Sequence, residues 1–356
     1  MATRWVRGVG FMLLMINLAA CATAPPPPSL YQRLNGREAQ AAGRLGPLDL
    51  RELVEDATRI ALADQIDAGI DVLANGEMGR ENFTLGFFGR LRGLRPLPIP
   101  RRLGVPSYDT HAPYEVVDRV TAPDGLGLVD EWRMSRRLTE RPLRATCPGP
   151  HTLSIPLRHA GGPYHADRDR LLADLAGIVN AELRALVAAG AEFIQVDEPN
   201  FVMLRGGAAR DRVELFNRTV DGVRAKLALH ICFGNLHNKP FATPREYRPL
   251  FPALLDGRWD QLVLEFANRE MAEIDLLKEV ADREVAVGVI DVKAYRVETV
   301  EDVAARLRLA LQSVPAERLW VVPDCGFWET PRAAAVGKLR AMVAGTRLVR
   351  RELGLA

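Results

Sequence analysis

The stretch Phe193 to Asn200 reads FIQVDEPN, a short strand-forming run that leads directly into two carboxylates and a proline. Predominantly apolar runs of this kind are typical of strands in a parallel sheet that helices cover on both faces. Helix-length amphipathic sequence precedes it, from Arg168 to Ala189. The stretch therefore predicts a strand that follows a crossover helix and presents acidic groups at its carboxyl end.

The same alternation of strand and helix recurs on both sides of the proline run Pro25 to Pro28. Further strands are predicted within Phe11–Thr23, at Ile70–Ala74, within Ala145–Ile155, and at Leu227–Phe233, Leu262–Glu265, Val285–Ile290 and Leu319–Val322. Together with Phe193–Val196 they make eight strands, which favours a TIM (β/α)8 barrel in the α/β class. A doubly wound open sheet is the alternative, but the sequence lacks the glycine-rich phosphate fingerprint typical of that fold.

A long excursion interrupts the alternation after the second predicted strand. The sequence from Asn82 to about Arg141 is irregular, with prolines at positions 96, 98, 100, 106 and 113. Loops of this length usually serve a site or an interface. We therefore expect one barrel domain over residues 30–356, with an insertion at about 82–141 and an N-terminal segment at 1–29.

The composition excludes several classes of protein. With 48% hydrophobic residues, 26% charged residues and a net charge of +2, the chain is neither disordered nor collagen-like. Only five of the 47 basic residues are lysine, so the arginine excess reflects composition and indicates no nucleic-acid-binding surface. Four cysteines, at positions 21, 147, 232 and 325, are too few for a disulfide scaffold, which leaves metal binding or catalysis.

Six of the predicted strands end on or near side chains that bind metals or transfer protons. In chain order these residues are Glu77, Asp197, Glu198, His230, Cys232, Glu265, Asp291, Asp324 and Cys325. The active site of a TIM barrel lies at the carboxyl ends of its strands. We therefore predict that these groups meet at one end of the barrel.

Four of them have the chemistry of a zinc site. His230 and Cys232 are two residues apart, so a strand points both side chains to the same face. A barrel can bring Glu265 and Cys325 to the same ion, within about 2.0 to 2.3 Å. An imidazole, a carboxylate and two thiolates favour zinc over calcium or magnesium, whose ligands are oxygens. The alternative interpretation is a core histidine beside a buried thiol.

The expected substrate of such a site is a thiol. Coordination to zinc deprotonates a thiol, whose pKa is otherwise roughly 8.5, and so produces a nucleophile at neutral pH. Two cysteinates and a carboxylate make the site negative, which favours alkyl transfer to sulfur over hydrolysis. A fourth, labile ligand indicates a position that the substrate takes over.

Five short motifs, in this order, resemble the catalytic domain of cobalamin-independent methionine synthases, in the barrel superfamily shared with uroporphyrinogen decarboxylase. The motifs are NGEMGR at Asn75–Arg80, IQVDEP at Ile194–Pro199, HIC at His230–Cys232, GVIDVK at Gly288–Lys293 and VPDCG at Val322–Gly326. The resemblance covers about Leu48 to Arg350 and implies the roles of the remaining residues. It implies that His230, Cys232, Glu265 and Cys325 hold zinc, that a thiol displaces Glu265, and that Glu77 and Asp197 hold the amino group of homocysteine.

Each acidic residue has a second interpretation. Glu77 and Asp197 can instead cap strand ends or form an internal ion pair with Arg80. Asp291 and Asp324 are the candidate catalytic residues, and Glu198 is a third candidate for substrate binding. An acidic residue after an apolar strand can also cap a helix or orient a metal ligand.

Two departures from the family concern the substrates. Full-length members carry a second, N-terminal barrel that helps bind the folate, and 356 residues leave no room for it. Either the methyl donor therefore differs, for instance a methylated corrinoid protein in place of methyltetrahydrofolate, or the thiol acceptor does. The family's catalytic barrel also opens with Gly-Ser and an arginine at the amino acid's carboxylate, whereas residues 19–26 here read AACATAPP.

These inferences predict a zinc-dependent methyltransferase that converts homocysteine to methionine. One alternative is a zinc-dependent alkyltransferase that opens epoxides with coenzyme M. The two carboxylates at Glu77 and Asp197 disfavour it, because they attract an ammonium group and repel a sulfonate. Another is a non-catalytic zinc-holding barrel that binds a corrinoid protein. A decarboxylase is disfavoured, because that chemistry uses no metal and leaves the two cysteines unexplained.

The N-terminal segment carries a pattern that conflicts with the first barrel strand predicted there. Arg4 and Arg7 precede the apolar run Val9–Leu14, and Leu18–Cys21 then resembles a bacterial lipoprotein signal with a lipid-carrying cysteine. The other interpretations are the first barrel strand or an upstream start codon. Cleavage before Cys21 would leave an open sheet edge, and thiolates outside the cytosol would face oxidation. We therefore predict a cytoplasmic protein without a membrane partner, with a lipoprotein anchored through Cys21 as the alternative.

Overall fold

The computed structural model describes residues 43–80, 83–98, 113–158, 162–165, 167–235, 244–328 and 330–355. Within these residues the chain forms ten strands. They are β1 (Leu73–Ala74), β2 (Arg92–Pro96), β3 (Tyr114–Thr121), β4 (Leu143–Pro148), β5 (Leu157–Arg158), β6 (Phe193–Asp197), β7 (Lys226–Ile231), β8 (Gln261–Leu264), β9 (Glu284–Ile290) and β10 (Leu319–Pro323).

The same residues form eight α-helices, joined in places by short 3-10 turns. They are α1 (Pro47–Ala68), α2 (Leu85–Phe88), α3 (Leu128–Leu138), α4 (Pro150–Ser154), α5 (Arg168–Ala188), α6 (Gly207–Thr219), α7 (Val300–Ala310) and α8 (Arg332–Glu352).

Seven strands form one parallel sheet in the order β1-β4-β6-β7-β8-β9-β10. Helical segments separate every neighbouring pair in the chain. Parallel strands in chain order with helices between them are the architecture of the TIM barrel, so the predicted fold class is confirmed. The predicted first strand within Phe11–Thr23, and the lipid-carrying role predicted for Cys21, lie outside the described residues.

Contacts across the sheet show that it curls. Phe193 on β6 and Trp320 on β10 lie with ring centroids 6.1 Å apart, although three strands separate them. The Nζ atom of Lys226 lies 4.1 Å from the centroid of Trp320. On the outside, Arg332 of α8 donates two hydrogen bonds of 2.6 Å to Asp64 of α1. The helices that flank the two edge strands therefore meet, and the strand ends face a common axis.

Local signals set the starts of the long helices. Thr299 and Asp302 form a reciprocal capping box at the start of α7, with bonds of 3.0 and 2.9 Å. Asp167 accepts a hydrogen bond from the backbone N–H of Arg170 at the start of α5. Such side chains satisfy backbone donors that a helix leaves unpaired at its first turn.

The excursion predicted for residues 82–141 contains regular elements that its prolines do not suggest. Strands β2 and β3 pair antiparallel, and β3 pairs with β5 to complete a three-stranded sheet. Helix α3 leads directly into β4 and buries Leu128 and Trp132. This helix therefore occupies the place of the crossover helix before β4.

The strand predicted at about Ala145–Ile155 extends too far toward the C-terminus. Strand β4 ends at Pro148, and helix α4 begins at Pro150. Proline suits the first position of a helix, where its missing N–H costs nothing. The backbone turn at Gly149 requires glycine, because a Cβ atom there would lie 2.1 Å from Oε1 of Glu198.

Among the helices that the structure describes, none is both long enough and apolar enough to cross a membrane.

Candidate metal and substrate site

Three of the four predicted metal ligands meet at the carboxyl ends of β7 and β10. One donor atom from each of His230, Cys232 and Cys325 lies within 4.8 Å of the others. The two sulfurs are 3.3 Å apart, well beyond the roughly 2.05 Å of a disulfide, and both cysteines are free thiols. A histidine nitrogen and two sulfurs at this spacing could hold a transition-metal ion.

The backbone explains how the two cysteines come together. His230 and Cys232 alternate with Ile231 and so share the face of β7 that points into the barrel. The pairing of β10 with β9 shifts register between Val322 and Pro323, just before the second cysteine. The register shift redirects the chain at the end of β10, so that Cys325 approaches Cys232.

The two thiols polarise each other. Cys232 donates a hydrogen bond to the sulfur of Cys325, and this bond, together with the nearby His230 and Lys293, lowers the pKa of Cys325 to about 7. The same bond, and then burial, raises the pKa of Cys232. Cys325 is therefore the thiol that ionises first.

The fourth predicted ligand, Glu265, lies beside this cluster but is not one of the residues within 4.8 Å. Its carboxylate is fully buried. Oε2 accepts a hydrogen bond of 3.1 Å from the backbone N–H of Phe233 and lies 2.7 Å from Nζ of Lys293. Oε1 is buried and has no hydrogen-bond partner among the residues that the structure describes.

An unsatisfied buried carboxylate oxygen is costly, and a cation is the partner that removes this cost. Glu265 accepts a hydrogen bond from the N–H of the residue that follows Cys232, and its negative charge opposes ionisation of both Cys232 and Cys325. Imidazole, thiolate and carboxylate together are the donor set of zinc. The residues present therefore fit a zinc ion.

Asp197 lies behind the histidine. Its Oδ1 lies 2.7 Å from Nδ1 of His230 and accepts a hydrogen bond of 2.6 Å from Gln195. Burial alone would lower the pKa of His230, but the hydrogen bond and charge of Asp197 outweigh it and raise that pKa. A carboxylate on Nδ1 fixes the ring and leaves Nε2 as the nitrogen for a metal. The structure thus gives Asp197 a contact that orients a metal ligand.

Glu77 forms the ion pair that the sequence left as its second interpretation. Its Oε1 accepts hydrogen bonds from Arg80 at 2.5 Å and from the hydroxyl of Thr146 at 2.7 Å. Its backbone is left-handed, with φ of 55°, and the side chain of Asn75 accepts a hydrogen bond from its N–H. About a third of the Glu77 side chain stays exposed, with a relative accessibility of 32%. The carboxylate is thus held in place and still open to solvent.

Glu198 is turned away from the other candidates. Its oxygens accept hydrogen bonds from the backbone N–H groups of His151 at 3.0 Å and Thr152 at 2.8 Å. It therefore caps the first turn of α4, and burial raises its pKa to about 7. This contact corresponds to the capping interpretation, and the binding of substrate by Glu198 stays a prediction.

Asp324 and Asp291 both hold the loop that follows Glu265. Asp324 is buried and accepts hydrogen bonds from the backbone N–H groups of Phe266, Ala267 and Asn268, at 3.0, 2.9 and 2.7 Å. Asp291 accepts a hydrogen bond of 3.0 Å from the side chain of Asn268. Both aspartates thus position this loop, and their catalytic roles stay predictions.

Two residues that the sequence did not single out also shape the site. The hydroxyl of Tyr247 donates to the carbonyl of Ile231 at 3.1 Å and accepts from the N–H of Glu265 at 2.9 Å. It therefore ties the end of β7 to the end of β8. The other residue is Lys293, the buried partner of Glu265. Lys293 ends the motif GVIDVK but receives no role from it, and Tyr247 lies in no motif, because each acts on an element distant in the chain.

Replacing Glu198 with glutamine is expected to change how stability depends on pH. The carboxyl has a pKa of about 7 in the folded protein, above its ordinary value of 4.5. The folded state therefore binds the proton more tightly, and the free energy of unfolding falls as pH rises from about 4.5 to 7, by up to about 1.4 kcal/mol per pH unit. Urea unfolding at several pH values should show a shallower fall for Glu198→Gln. Glu214→Gln, on the exposed side of α6, is the control, and equal slopes in Glu198→Gln and the unmodified protein would refute the assignment.

Comparison with known proteins places this geometry in context. A family described as "Cobalamin-independent synthase, Catalytic domain" matches residues 28–347. A methionine synthase from Thermococcus kodakarensis is 34% identical over 330 residues, which cover 92% of each chain. One from Sulfurisphaera tokodaii is 35% identical over 314 residues, which cover 88% of this chain and 87% of the relative. The match therefore extends over nearly the whole of each relative.

A solved structure gives the same picture. A B12-independent methionine synthase from Shewanella sp. W3-18-1, in complex with selenomethionine, superposes with a TM-score of 0.75 at 30% sequence identity. The superposition covers 88% of this chain and 92% of that one.

Proposed function

The chain belongs to the family of cobalamin-independent methionine synthase catalytic domains and is a methyltransferase; from that premise we propose that it methylates the sulfur of homocysteine at a zinc centre. The observation that carries the proposal is the meeting of one imidazole and two thiols within 4.8 Å. Glu265 adds a buried oxygen, Oε1, without a hydrogen-bond partner among the described residues. His230, Cys232, Glu265 and Cys325 are thus the proposed zinc ligands.

Zinc bound to these residues would keep the acceptor thiol deprotonated at neutral pH. The side chains of the protein have separate tasks. Asp197 keeps the ring of His230 oriented through Nδ1, and Tyr247 and Asp324 hold the backbone on either side of Glu265. A site in which the ligands are held this way needs little rearrangement when substrate enters.

Glu77 and Asp197 are proposed to bind the amino group of homocysteine. Partial burial raises the pKa of Glu77, Arg80 opposes this effect, and the charge of Asp197 adds to it, so ionisation of one carboxylate disfavours ionisation of the other. A substrate ammonium group between them would relieve this repulsion. A sulfonate at the same place would meet two like charges.

The reaction is a displacement at carbon. A lone pair of the thiolate sulfur forms the new bond to the methyl carbon, and the bond from that carbon to the donor breaks. The electron pair of the broken bond leaves with the donor, either the N5 nitrogen of tetrahydrofolate or the cobalt of a corrinoid. The nitrogen leaving group also takes up a proton, whereas the cobalt does not. The products are methionine and the demethylated donor.

Elemental analysis together with a methyl-transfer assay tests this proposal. Purified protein is expected to contain one zinc per chain and to form methionine from homocysteine with either methyltetrahydrofolate or methylcobalamin as donor. Comparing the two donors identifies the one used, and coenzyme M serves as the rival acceptor. Correctly folded protein that never binds zinc, zinc-loaded protein without turnover, or preferential alkylation of coenzyme M would each refute the proposal.

A further inference from the structure

Lys293 is a buried cation inside the proposed metal centre. Its side chain is 2% exposed, and its Nζ lies 2.7 Å from Oε2 of Glu265, which is 0% exposed. Desolvating two charges is expensive, so a pair of this kind needs good geometry and further hydrogen bonds. The N–H of Phe233 supplies one of these to the same oxygen. Oε2 of Glu265 therefore has two partners, whereas Oε1 has no hydrogen-bond partner among the described residues.

The choice of lysine at this position is informative. The chain has only five lysines among its 47 basic residues, so arginine is its usual cation. Arginine presents a planar fork that binds both oxygens of a carboxylate, whereas lysine is a compact point charge. Lysine can therefore neutralise Glu265 through Oε2 while Oε1 stays open to another partner.

The loop that carries Lys293 is held firmly. The backbone N–H of Lys293 donates to Oδ1 of Asp291 at 2.8 Å. The buried Lys338 donates to the carbonyl of Asp291 at 2.8 Å and pairs with Glu298 at 2.9 Å. Glu298 in turn accepts a hydrogen bond from the N–H of Asp291. The backbone that carries Lys293 is thus held in place beside Glu265.

We propose that Lys293 makes Glu265 an exchangeable metal ligand, by neutralising the carboxylate while it is bound and holding it as an ion pair when a thiol takes its place. This inference rests on the proposed function. With Lys293 present, entry of a third thiolate leaves one net negative charge around the ion. Without Lys293, the centre would carry two, and the released carboxylate would be buried without a counter-charge. Lys293 therefore acts as a positioning residue, through Glu265.

The cobalt-substituted protein provides the test. The intensity of its sulfur-to-cobalt charge-transfer absorption grows with each thiolate that binds the ion. In the unmodified protein, homocysteine is expected to increase this absorption. Lys293→Met is expected to bind the metal at least as tightly in chelator competition, but to need roughly ten- to a hundred-fold more homocysteine for the same increase. Lys226→Met is the matched control, because Lys226 pairs with Glu284 at the opposite end of β7, and it should behave like the unmodified protein.

A second variant covers the case in which Lys293→Met does not fold. Lys293→Arg keeps the charge but engages both oxygens of Glu265, so metal affinity is expected to fall roughly ten-fold or more. Unchanged homocysteine dependence in Lys293→Met, or unchanged metal affinity in Lys293→Arg, would overturn the inference while the proposed function stands. If homocysteine leaves the spectrum of the unmodified protein unchanged, the proposed function fails, and this inference fails with it.

Discussion

Replacing Cys232 with serine is expected to strip the metal from the protein and to lower the rate of methyl transfer at least about 100-fold. Its sulfur lies 3.3 Å from that of Cys325 and within 4.8 Å of a nitrogen of His230, so it stands at the centre of the cluster. Serine keeps the volume nearly unchanged but offers a hydroxyl, which is a poor zinc ligand at neutral pH. The measurements are zinc per chain and the initial rate of methionine formation.

Cys147→Ser is the matched control for this experiment. Cys147 is also a buried thiol, on β4, but it is not part of the three-residue cluster. We expect this variant to keep its zinc. A Cys232→Ser protein that retains one zinc per chain and full activity would contradict the assigned ligand set.

Replacing Arg80 with methionine is expected to lower the free energy of unfolding by about 3 to 5 kcal/mol, the usual cost of removing one member of a buried ion pair. The Arg80 side chain is only 5% exposed. It donates to Glu77 at 2.5 Å, to Glu131 at 2.7 and 3.0 Å, and to the carbonyl of Thr146 at 2.8 Å. Methionine would leave the two carboxylates without their cation, and urea unfolding measures the loss.

Arg308→Met separates this effect from the mere loss of salt bridges. Arg308 also pairs with two carboxylates, Glu301 and Glu352, but it is 41% exposed. Exposed pairs are worth little, so we expect a much smaller change than in Arg80→Met. Equal destabilisation by the two substitutions would show that the burial of Arg80 does not matter.

The sequence predicts the barrel well because strand periodicity is a local property. Leu262–Glu265 was predicted, and the structure has a strand at Gln261–Leu264. Val285–Ile290 was predicted, and the structure has a strand at Glu284–Ile290. These runs are apolar throughout because helices cover one face of the sheet and the barrel interior the other. Neighbouring residues alone therefore identify them.

Capping by residues distant in the chain is a feature that sequence reasoning did not anticipate. Helix α3 has no side-chain cap of its own, and Glu182 of α5 instead accepts hydrogen bonds from the N–H groups of Leu126 and Leu128, both at 2.7 Å. Glu198 caps α4 in the same way, and Asp324 holds the turn after β8. The sequence alone does not distinguish a carboxylate that caps a remote segment from a carboxylate that binds a substrate.

In the candidate site, too, the sequence predicts features that depend on neighbouring residues better than contacts between distant ones. The spacing of His230 and Cys232 predicts that both face the barrel interior, since alternation along a strand is local. The pairing of Lys293 with Glu265, and the bridge that Tyr247 makes, join residues that only the folded sheet brings together. Sequence reasoning therefore finds the candidate ligands more readily than the groups that hold them.

The buried contact of Asp324 has a consequence for altering this enzyme. Asp324 precedes Cys325 in the chain and accepts a hydrogen bond from the backbone just beyond Glu265. Gly288 leaves the space that the carboxylate of Asp324 fills, since a Cβ atom at position 288 would lie 2.3 Å from Oδ1 of Asp324. Two proposed ligands on different strands are thus mechanically linked. An engineer who seeks a new acceptor by shifting Glu265 would have to rebuild positions 288 and 324 in the same step, and libraries that vary one of these positions at a time would miss such solutions.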